Sequence, residues 1–229
     1  RNLKEESIDF VVTSPPYDNL RNYNGYNFDF ENIAKGLYRI MKPNGVVVWV
    51  VGDKIINGNK TLTSFKQCLY FQEIGFKVHD VMIYKKKNTP FMRSNAYTNS
   101  FEFMFVLAKG KIETFNPLKT KTARSGEEML VANKKADGVN KKVKGCLNSE
   151  KTLTNIWEYA VGLGGSTNDK IAFKHPAIFP EKLVRDHILS WTNEGDIVLD
   201  PFMGSGTVAM ASILTNRKYV GIELNEHYH

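Results

Sequence analysis

Cysteine is scarce in this chain. Its 229 residues include two cysteines, Cys68 and Cys146, which are too few for a disulfide scaffold or a four-cysteine zinc site. The five histidines show no metal-ligand spacing with either cysteine, so no metal site is expected. No apolar run approaches the ~18–20 residues that cross a bilayer, and no signal peptide is visible, although the first residue is Arg1. These absences predict a cytoplasmic protein without membrane association.

Acidic residues are outnumbered by basic ones. The chain has 31 Lys plus Arg against 24 Asp plus Glu, and the formal charge of +7 favours a polyanionic partner. Most of this excess lies in residues 109–151, where eleven Lys and Arg stand against five Asp and Glu, a net of +6. That stretch has no convincing periodicity and few large apolar residues. By itself it fits a solvated insertion as well as a segment that neutralises DNA phosphates.

The rest of the chain alternates short apolar runs with helical periodicity. Such alternation predicts an α/β fold, in which helices cover both faces of a mostly parallel sheet and ligands bind at the carboxyl ends of the strands. The length suits one domain that carries a sizeable insertion. The predicted strands are Ile8–Val12, Val46–Val51, Phe76–Tyr84, Glu102–Leu107, Ile197–Leu199 and Tyr219–Ile222, and the predicted helices are Phe30–Met41, Thr61–Ile74, Glu181–Trp191 and Thr207–Leu214.

A rigid turn directly follows the first predicted strand, with the sequence Thr13-Ser14-Pro15-Pro16-Tyr17. Two consecutive prolines neither continue a sheet ladder nor easily begin a helix, so they hold the chain in one conformation. The Ser14 side chain and the Pro15 carbonyl then form a pair of acceptors suited to an incoming amino group. Tyr17 offers a flat surface on which a base can stack. A proline turn with a packed tyrosine is the simpler alternative.

A glycine-rich turn follows a later strand that ends in Asp200. The chain passes through Pro201-Phe202-Met203-Gly204-Ser205-Gly206 and enters a helix at Thr207. The glycines let a ligand approach the backbone closely, and the helix start supplies free N–H groups. No lysine follows the glycines, so this is not a phosphate loop, and the glycines do not form the GxGxxG dinucleotide pattern. Glu223 ends the next strand, where a carboxylate can accept the hydroxyls of a ribose.

A third block, His175-Pro176-Ala177-Ile178-Phe179-Pro180, lies between the proline turn and the glycine turn. With it, the chain resembles the β group of S-adenosylmethionine-dependent DNA amino-methyltransferases. Thr13–Tyr17 resembles the catalytic (D/N/S)PP(Y/F) motif of that family, Asp200–Thr207 its cofactor loop, and the third block the segment before that loop. The catalytic motif comes first, which is the permuted order of this group. The matching blocks frame almost the whole chain.

The resemblance implies a Rossmann-like methyltransferase fold with circularly permuted motif order and an inserted target recognition region. Residues 1–108 would form the catalytic half, residues 109–155 the recognition insertion, and residues 156–229 the cofactor-binding half of the same domain. The implied cofactor is S-adenosylmethionine, and the implied partner is double-stranded DNA. The resemblance leaves open a cognate restriction enzyme, a homodimeric state and a bacterial or phage origin.

The resemblance also implies roles for individual residues. Ser14, Pro15, Pro16 and Tyr17 would be catalytic. The cofactor-binding residues would be Asp200, Pro201, Phe202, Gly204, Ser205, Gly206, Thr207, Glu223, Phe179, Pro180 and Asp53. The DNA-binding residues would be Lys119, Lys121, Arg124, Lys134, Lys135, Lys141, Lys142 and Lys144. Glu223 would take the ribose hydroxyls, Asp200 would face the methionine end and Phe202 would pack near the adenine. For Asp53, a turn-forming role is the equal alternative.

The predicted reaction is transfer of a methyl group to an exocyclic amino group of a flipped base. Position 14 holds Ser rather than the commoner Asp. In the family that the chain resembles, Ser is associated more with cytosine N4, and Asp with adenine N6. Cytosine N4 is therefore preferred as the target, with adenine N6 as the alternative. The motifs also admit an RNA or protein-amide methyltransferase, or an inactive DNA-binding module of the same fold.

Overall fold

The structure is a computed structural model that describes residues 3–16, 28–89, 94–134, 140–162 and 179–224. Strands and helices alternate through most of this part of the chain. The strands are β1 (Ile8–Thr13), β2 (Met41–Val51), β3 (Ile55–Ile56), β4 (Asn59–Lys60), β5 (Lys77–Lys86), β6 (Phe101–Ala108), β7 (Lys119–Lys121), β8 (Glu128–Lys134), β9 (Asn140–Cys146), β10 (Glu150–Thr152), β11 (Ile156–Tyr159), β12 (Ile197–Asp200) and β13 (Lys218–Gly221). The helices are α1 (Phe30–Ile40), α2 (Thr63–Glu73), α3 (Glu181–Trp191) and α4 (Thr207–Leu214).

Seven strands form one sheet in the order β11-β5-β6-β2-β1-β12-β13. Four neighbouring pairs are parallel, and only the two pairs that involve β6 are antiparallel. Because β6 opposes both of its neighbours, the other six strands all run the same way, and their carboxyl ends lie along one edge. The predicted α/β class with a mostly parallel sheet of the Rossmann-like type is confirmed.

The two faces of the sheet are covered by different helices. In β2, Val47, Trp49 and Val51 belong to the core cluster that also contains Leu37 of α1 and Phe71 of α2. All five side chains are buried. Side chains alternate along a strand, so the intervening valines of β2 face the opposite side. Those valines are equally buried, which explains why this strand reads as an uninterrupted apolar run.

Helix α3 packs on the second face through a buried histidine. Nε2 of His187 lies 3.2 Å from Sδ of Met104 in β6, and the His187 ring lies 4.6 Å from the ring of Trp157, centroid to centroid. Burial lowers the pKa of His187 to about 3, so its imidazole is neutral in the folded protein. His187 is a packed core histidine.

The loop between α1 and the sheet ends the helix as predicted. Helix α1 stops at Ile40, shortly before Pro43-Asn44-Gly45, and Asn44 has a φ of +71°. Strand β2 nevertheless begins at Met41, earlier than the predicted Val46, because Met41 already pairs with Ile8 before the register shifts. Within the described residues, no helix is long and apolar enough to cross a membrane.

Residues 117–154 form a compact unit of their own. The unit contains two antiparallel pairs, β7 with β10 and β8 with β9. The missing periodicity predicts no strands here, and the structure differs from that expectation. Every residue of β7 and β10 is exposed, so this pairing depends on backbone hydrogen bonds and leaves no alternation of apolar and polar side chains to detect.

Two asparagines flank this unit, and both belong to the sheet-bearing part of the chain, residues 1–116 and 155–229. The Asn116 backbone N–H donates to the Ser190 carbonyl at 2.8 Å. On the returning side, the Asn155 carbonyl accepts from the Ile83 N–H at 2.8 Å, just before β11 joins the edge of the sheet.

Candidate active site

The proline turn and the glycine turn leave the sheet side by side. Strands β1 and β12 are parallel neighbours, with Val11 opposite Leu199. Thr13 and Asp200 are the last residues of these strands. The Thr13 hydroxyl donates a hydrogen bond to Oδ1 of Asp200 at 2.6 Å, across 187 positions of sequence. Two motifs that lie near opposite ends of the chain therefore meet at one edge of the sheet.

The corner after β1 is described as far as Pro16. Ser14 and Pro16 are half-buried, and Pro15 is buried. Because these residues directly follow Thr13, they lie at the same sheet edge as Asp200. Tyr17 lies outside the described residues, so its stacking role stays a prediction. The segment 175–178 also lies outside them.

Main-chain and side-chain hydrogen bonds hold the glycine turn. Oδ1 of Asp200 accepts the Phe202 N–H at 3.0 Å, and Oε2 of Glu223 accepts the Gly204 N–H at 2.8 Å. Gly206 has a φ of +81°, which favours glycine, and forms the N-cap of α4 without a side-chain cap. A Cβ atom at Gly206 would meet no heavy atom within 4 Å. The turn thus presents an open surface beside two carboxylates.

Asp200 is a buried carboxylate, with 5% of its surface exposed. Burial raises its pKa to about 6, and the negative charge of Glu223 acts in the same direction. The hydrogen bonds from Thr13 and Phe202 favour the ionised form and limit the rise of this pKa. No Lys or Arg of the described residues forms an ion pair with Asp200. A cationic ligand would supply the missing countercharge.

The Phe202 side chain extends the aromatic core towards the glycine turn. Its ring centroid lies 5.6 Å from that of Phe28 and 6.3 Å from that of Trp49, both in edge-on geometry. Pro201 beside it is half-buried. Ser205 is exposed, and its hydroxyl lies 3.4 Å from that of the buried Thr207. The adenine contact of Phe202 stays a prediction.

Asp53 caps helix α2. Leu62 forms the N-cap with a φ of +53°, and its side chain makes no capping hydrogen bond to the first turn of the helix. Asp53 supplies one instead, because Oδ1 accepts the Ser64 N–H and Oδ2 accepts the Ser64 hydroxyl, each at 2.9 Å. These bonds favour the structural role that the sequence left open. A contact between Asp53 and the cofactor stays a prediction.

Phe179 and Pro180 lead into helix α3. Phe179 is half-buried and Pro180 is buried. The Pro180 carbonyl accepts the Val184 N–H at 3.2 Å, so Pro180 begins the helix. Their place in a cofactor pocket stays a prediction.

The predicted DNA-contacting cations belong to the unit of residues 117–154. Lys119 and Lys121 are exposed on β7, and Nζ of Lys119 lies 3.9 Å from Glu150. Arg124 forms an ion pair with Glu127 at 2.6 Å. Surface pairs of this kind contribute little and exchange easily for other anions. Strand β8 contains Lys134, strand β9 contains Lys141, Lys142 and Lys144, and Lys135 lies outside the described residues.

The sequence interpretation gave Thr13 no role of its own. Thr13 belongs to the catalytic motif, but its hydroxyl contact with Asp200 depends on which strands are neighbours. A polar residue that directly follows the apolar run Phe10–Val12 was the available signal. Within the described residues, no group of three or more His, Cys, Asp or Glu is arranged to hold a metal ion.

Comparison with known proteins identifies the family. The family model of N6/N4-type enzymes described as "DNA methylase" matches residues 8–229. The orphan methyltransferase M.BamHII of Bacillus amyloliquefaciens is 52% identical over 232 residues, which cover 99% of this chain and 88% of that protein.

Two solved structures resemble the fold. The cytosine-N4-specific PvuII DNA methyltransferase has a TM-score of 0.70 at 19% identity, covering 98% of this chain and 78% of that chain, which shows likeness of fold alone. The M1.HpyAVI–SAM complex has a TM-score of 0.61 at 25% identity, covering 97% and 85%. Together with the motif order and the meeting of β1 with β12, these matches show that the chain belongs to the N6/N4 family of DNA methyltransferases.

Proposed function

We propose that the protein transfers a methyl group from S-adenosylmethionine to cytosine N4 in double-stranded DNA. Membership of the N6/N4 family gives a DNA amino-methyltransferase. The hydrogen bond between Thr13 and Asp200 supports transfer at this edge of the sheet, because it joins the predicted base-binding corner to the predicted cofactor turn. The choice of cytosine N4 over adenine N6 rests on Ser14 in the proline turn. A nucleophilic amine held at one turn would then lie beside a methyl donor held at the other.

The residues at the glycine turn fit this cofactor. S-adenosylmethionine has a sulfonium and an ammonium group, and when bound it supplies an electrophilic methyl carbon. Asp200 is buried without a cationic partner among the described residues, so its carboxylate suits the ammonium end. Glu223 accepts the Gly204 N–H through Oε2, so its carboxylate lies at the glycine turn, where we propose that it also accepts the ribose hydroxyls. The open space at Gly206 allows close approach of the ligand.

The corner at Ser14 and Pro15 would hold the amino group of the base. An exocyclic amine is conjugated with its ring, and hydrogen bonds from its two N–H groups to the Ser14 hydroxyl oxygen and the Pro15 carbonyl favour a pyramidal nitrogen with an exposed lone pair. Catalysis is then largely positioning and electrostatic alignment. Extruding the base from the duplex costs a few kcal/mol, and stacking on Tyr17 would return about 1–3 kcal/mol.

A covalent route through Cys68 is disfavoured. Cys68 is buried, and desolvation raises the pKa of its thiol to about 11. The reactive form of cysteine is the thiolate, so at neutral pH this side chain is inert. Direct transfer between cofactor and amine needs no enzyme nucleophile, in agreement with the residues at the sheet edge.

We assign target recognition to the unit of residues 117–154, which contains nine Lys and Arg against four Asp and Glu. A net charge of +5 in 38 residues supplies the sequence-independent, salt-dependent part of DNA affinity. The pairing of β8 with β9 places cationic positions along a two-stranded ribbon, a shape that the major groove admits.

Mass spectrometry of nucleosides tests the proposal. DNA and RNA are isolated separately from three cell cultures, which express the wild type, Ser14→Ala or no protein. Each sample is digested to nucleosides. We expect N4-methylcytosine in DNA of the wild-type cells alone. N6-methyladenine instead would keep the family reaction and refute the choice of cytosine. No methylated base in DNA, from a wild-type protein that is folded and binds cofactor, would refute the proposal altogether.

A cognate restriction enzyme and a homodimeric state remain predictions, and each has a direct test. A cognate restriction enzyme would cleave unmodified host DNA and spare DNA from cells that express this chain. A homodimer would show twice the chain mass in light scattering.

A further inference from the structure

The hydroxyl of Thr13 is buried and has one acceptor. Thr13 is fully buried, and its Oγ1 donates to Oδ1 of Asp200 at 2.6 Å. The same Oδ1 also accepts the Phe202 N–H, so both hydrogen bonds converge on one carboxylate oxygen. Among the described residues, the second oxygen, Oδ2, accepts no hydrogen bond. The Asp200 carboxylate is thus held by two hydrogen bonds to Oδ1, whereas Oδ2 accepts none from the described residues.

We propose that Thr13 is a positioning residue that orients the Asp200 carboxylate for the cofactor and couples cofactor binding to the base-binding corner. The inference deepens the proposed function and rests on it, because the proposed function puts the cofactor at Asp200 and the base at Ser14. It acts through Asp200 on one side and through its peptide bond to Ser14 on the other.

The Thr13 hydroxyl affects the ionisation of Asp200. Burial and the nearby Glu223 both favour the neutral acid, whereas the hydroxyl of Thr13 and the N–H of Phe202 favour the carboxylate. These groups come from β1, from the turn after β12 and from the segment after β13. Thr13 makes the side-chain hydrogen bond that holds Asp200 ionised. A cofactor with an ammonium group needs that charge.

The Thr13 hydroxyl also fixes the distance between the proline turn and the glycine turn. The parallel strands β1 and β12 pair through their backbones as far as Val11 and Leu199. The hydrogen bond from the Thr13 hydroxyl to Asp200 then joins the ends of the two strands through their side chains. A shift of Asp200 that follows ligand binding is therefore passed to Thr13 and, through one peptide bond, to Ser14. Without the hydroxyl, the two turns would lose the side-chain link that fixes their separation at the point where the reacting atoms meet.

Two variants separate hydroxyl from volume. Thr13→Val keeps the branched shape and removes the donor, whereas Thr13→Ser keeps the donor and loses a methyl group. The first measurement uses the ligand-free protein, in which NMR of the side-chain carboxyl carbons follows the titration of Asp200, assigned by its loss in Asp200→Asn. We expect Thr13→Val to raise the pKa of Asp200 by about one unit, a tenfold change in proton affinity. Thr13→Ser should restore the wild-type titration.

The second measurement is cofactor affinity against pH by calorimetry. The acid limb of the profile should move to higher pH by about one unit in Thr13→Val and return to its wild-type position in Thr13→Ser. At a pH where Asp200 is ionised in both proteins, single-turnover methyl transfer by Thr13→Val should still be at least about tenfold slower, because the corner is no longer fixed relative to the cofactor.

The outcomes are distinguishable. An unchanged Asp200 titration and an unchanged pH profile in Thr13→Val would overturn the inference, even if the wild type methylates DNA. Equal loss in Thr13→Ser and Thr13→Val would also overturn it, since volume rather than the hydroxyl would then matter. A wild type that binds cofactor without methylating DNA would refute the proposed function. The titration of Asp200 and the pH profile of cofactor affinity would still decide the role of Thr13. If Thr13→Val fails to fold, Thr13→Ala provides the same comparison.

Discussion

Replacing Asp200 with asparagine is expected to stabilise the ligand-free protein and abolish cofactor binding. Asparagine has almost the same shape, and its Oδ1 can still accept the Thr13 hydroxyl and the Phe202 N–H. The change removes a buried charge whose pKa is raised from 3.8 to about 6. One pKa unit corresponds to about 1.4 kcal/mol, so the ionised carboxylate costs the fold about 3 kcal/mol at neutral pH.

The free energy of unfolding should depend on pH through Asp200 and His187. A folded carboxyl group with a raised pKa binds its proton more tightly than the unfolded one, so its cost appears as the pH rises from about 4 to about 6. His187 acts in the opposite direction, because its pKa is lowered to about 3 and the unfolded chain takes up the proton first. Stability from His187 is therefore lost as the pH falls below about 6.5. In the wild type the two contributions oppose each other between pH 4 and pH 6.

Urea or thermal unfolding of both proteins, without cofactor and across this pH range, measures the difference. At pH 7.5 we expect Asp200→Asn to unfold up to about 10 °C higher than the wild type, and the gap should close near pH 4. S-adenosylmethionine should raise the midpoint of the wild type and leave that of the variant unchanged. An Asp200→Asn protein that is less stable than the wild type at pH 7.5 would refute the reasoning, because the buried charge would then be stabilising.

Three further changes probe the site and the basic unit. Glu223→Gln keeps an oxygen for the Gly204 N–H but removes the charge, so calorimetry should show cofactor binding weakened by about tenfold, the effect of ~1.4 kcal/mol; wild-type affinity would exclude a ribose contact by the carboxylate. Replacing Lys142 and Lys144 together by alanine should reduce the slope of log affinity for DNA against log salt by about 2 without changing cofactor affinity, and an unchanged slope would place both away from the phosphates. Asp53→Ala should lower stability by about 1 kcal/mol through the lost helix cap, whereas a loss of cofactor affinity would return Asp53 to the cofactor site.

The elements of the sheet-bearing part were predictable because their patterns are strong. Val46–Val51 is buried on both faces, and the preceding helix, predicted to stop before Pro43-Asn44-Gly45, ends at Ile40 in the structure. Motif order, read with the resemblance, gave the permuted arrangement. The short strands were not predictable, since β3 with β4 and β7 with β10 pair through the backbone with largely exposed side chains. Strand β11 has four residues, too few to show a period.

The interactions inside the site were less predictable than its location. The sequence indicated that the corner at Ser14 and the turn at Gly204 lie at strand ends, but pairing between strands cannot be read from a single chain. The contact of Thr13 with Asp200 requires β1 and β12 to be neighbours. The capping bond of Asp53 depends on the left-handed Leu62, a backbone conformation that leucine rarely adopts. Both facts follow from tertiary structure.

The long separation between β1 and β12 has a consequence during synthesis. Ribosomes add about 5–20 residues per second, so Thr13 would wait roughly 10–40 s before the partner that lies 187 positions later is made. Throughout that time one side of β1 would remain an open strand edge with unpaired backbone N–H and C=O groups, on a strand whose Phe10 and Val12 side chains are fully buried in the finished fold. A nascent chain would thus be prone to aggregation, and shielding of its first strand by a chaperone would matter more for this topology than for one in which neighbouring strands are made in succession.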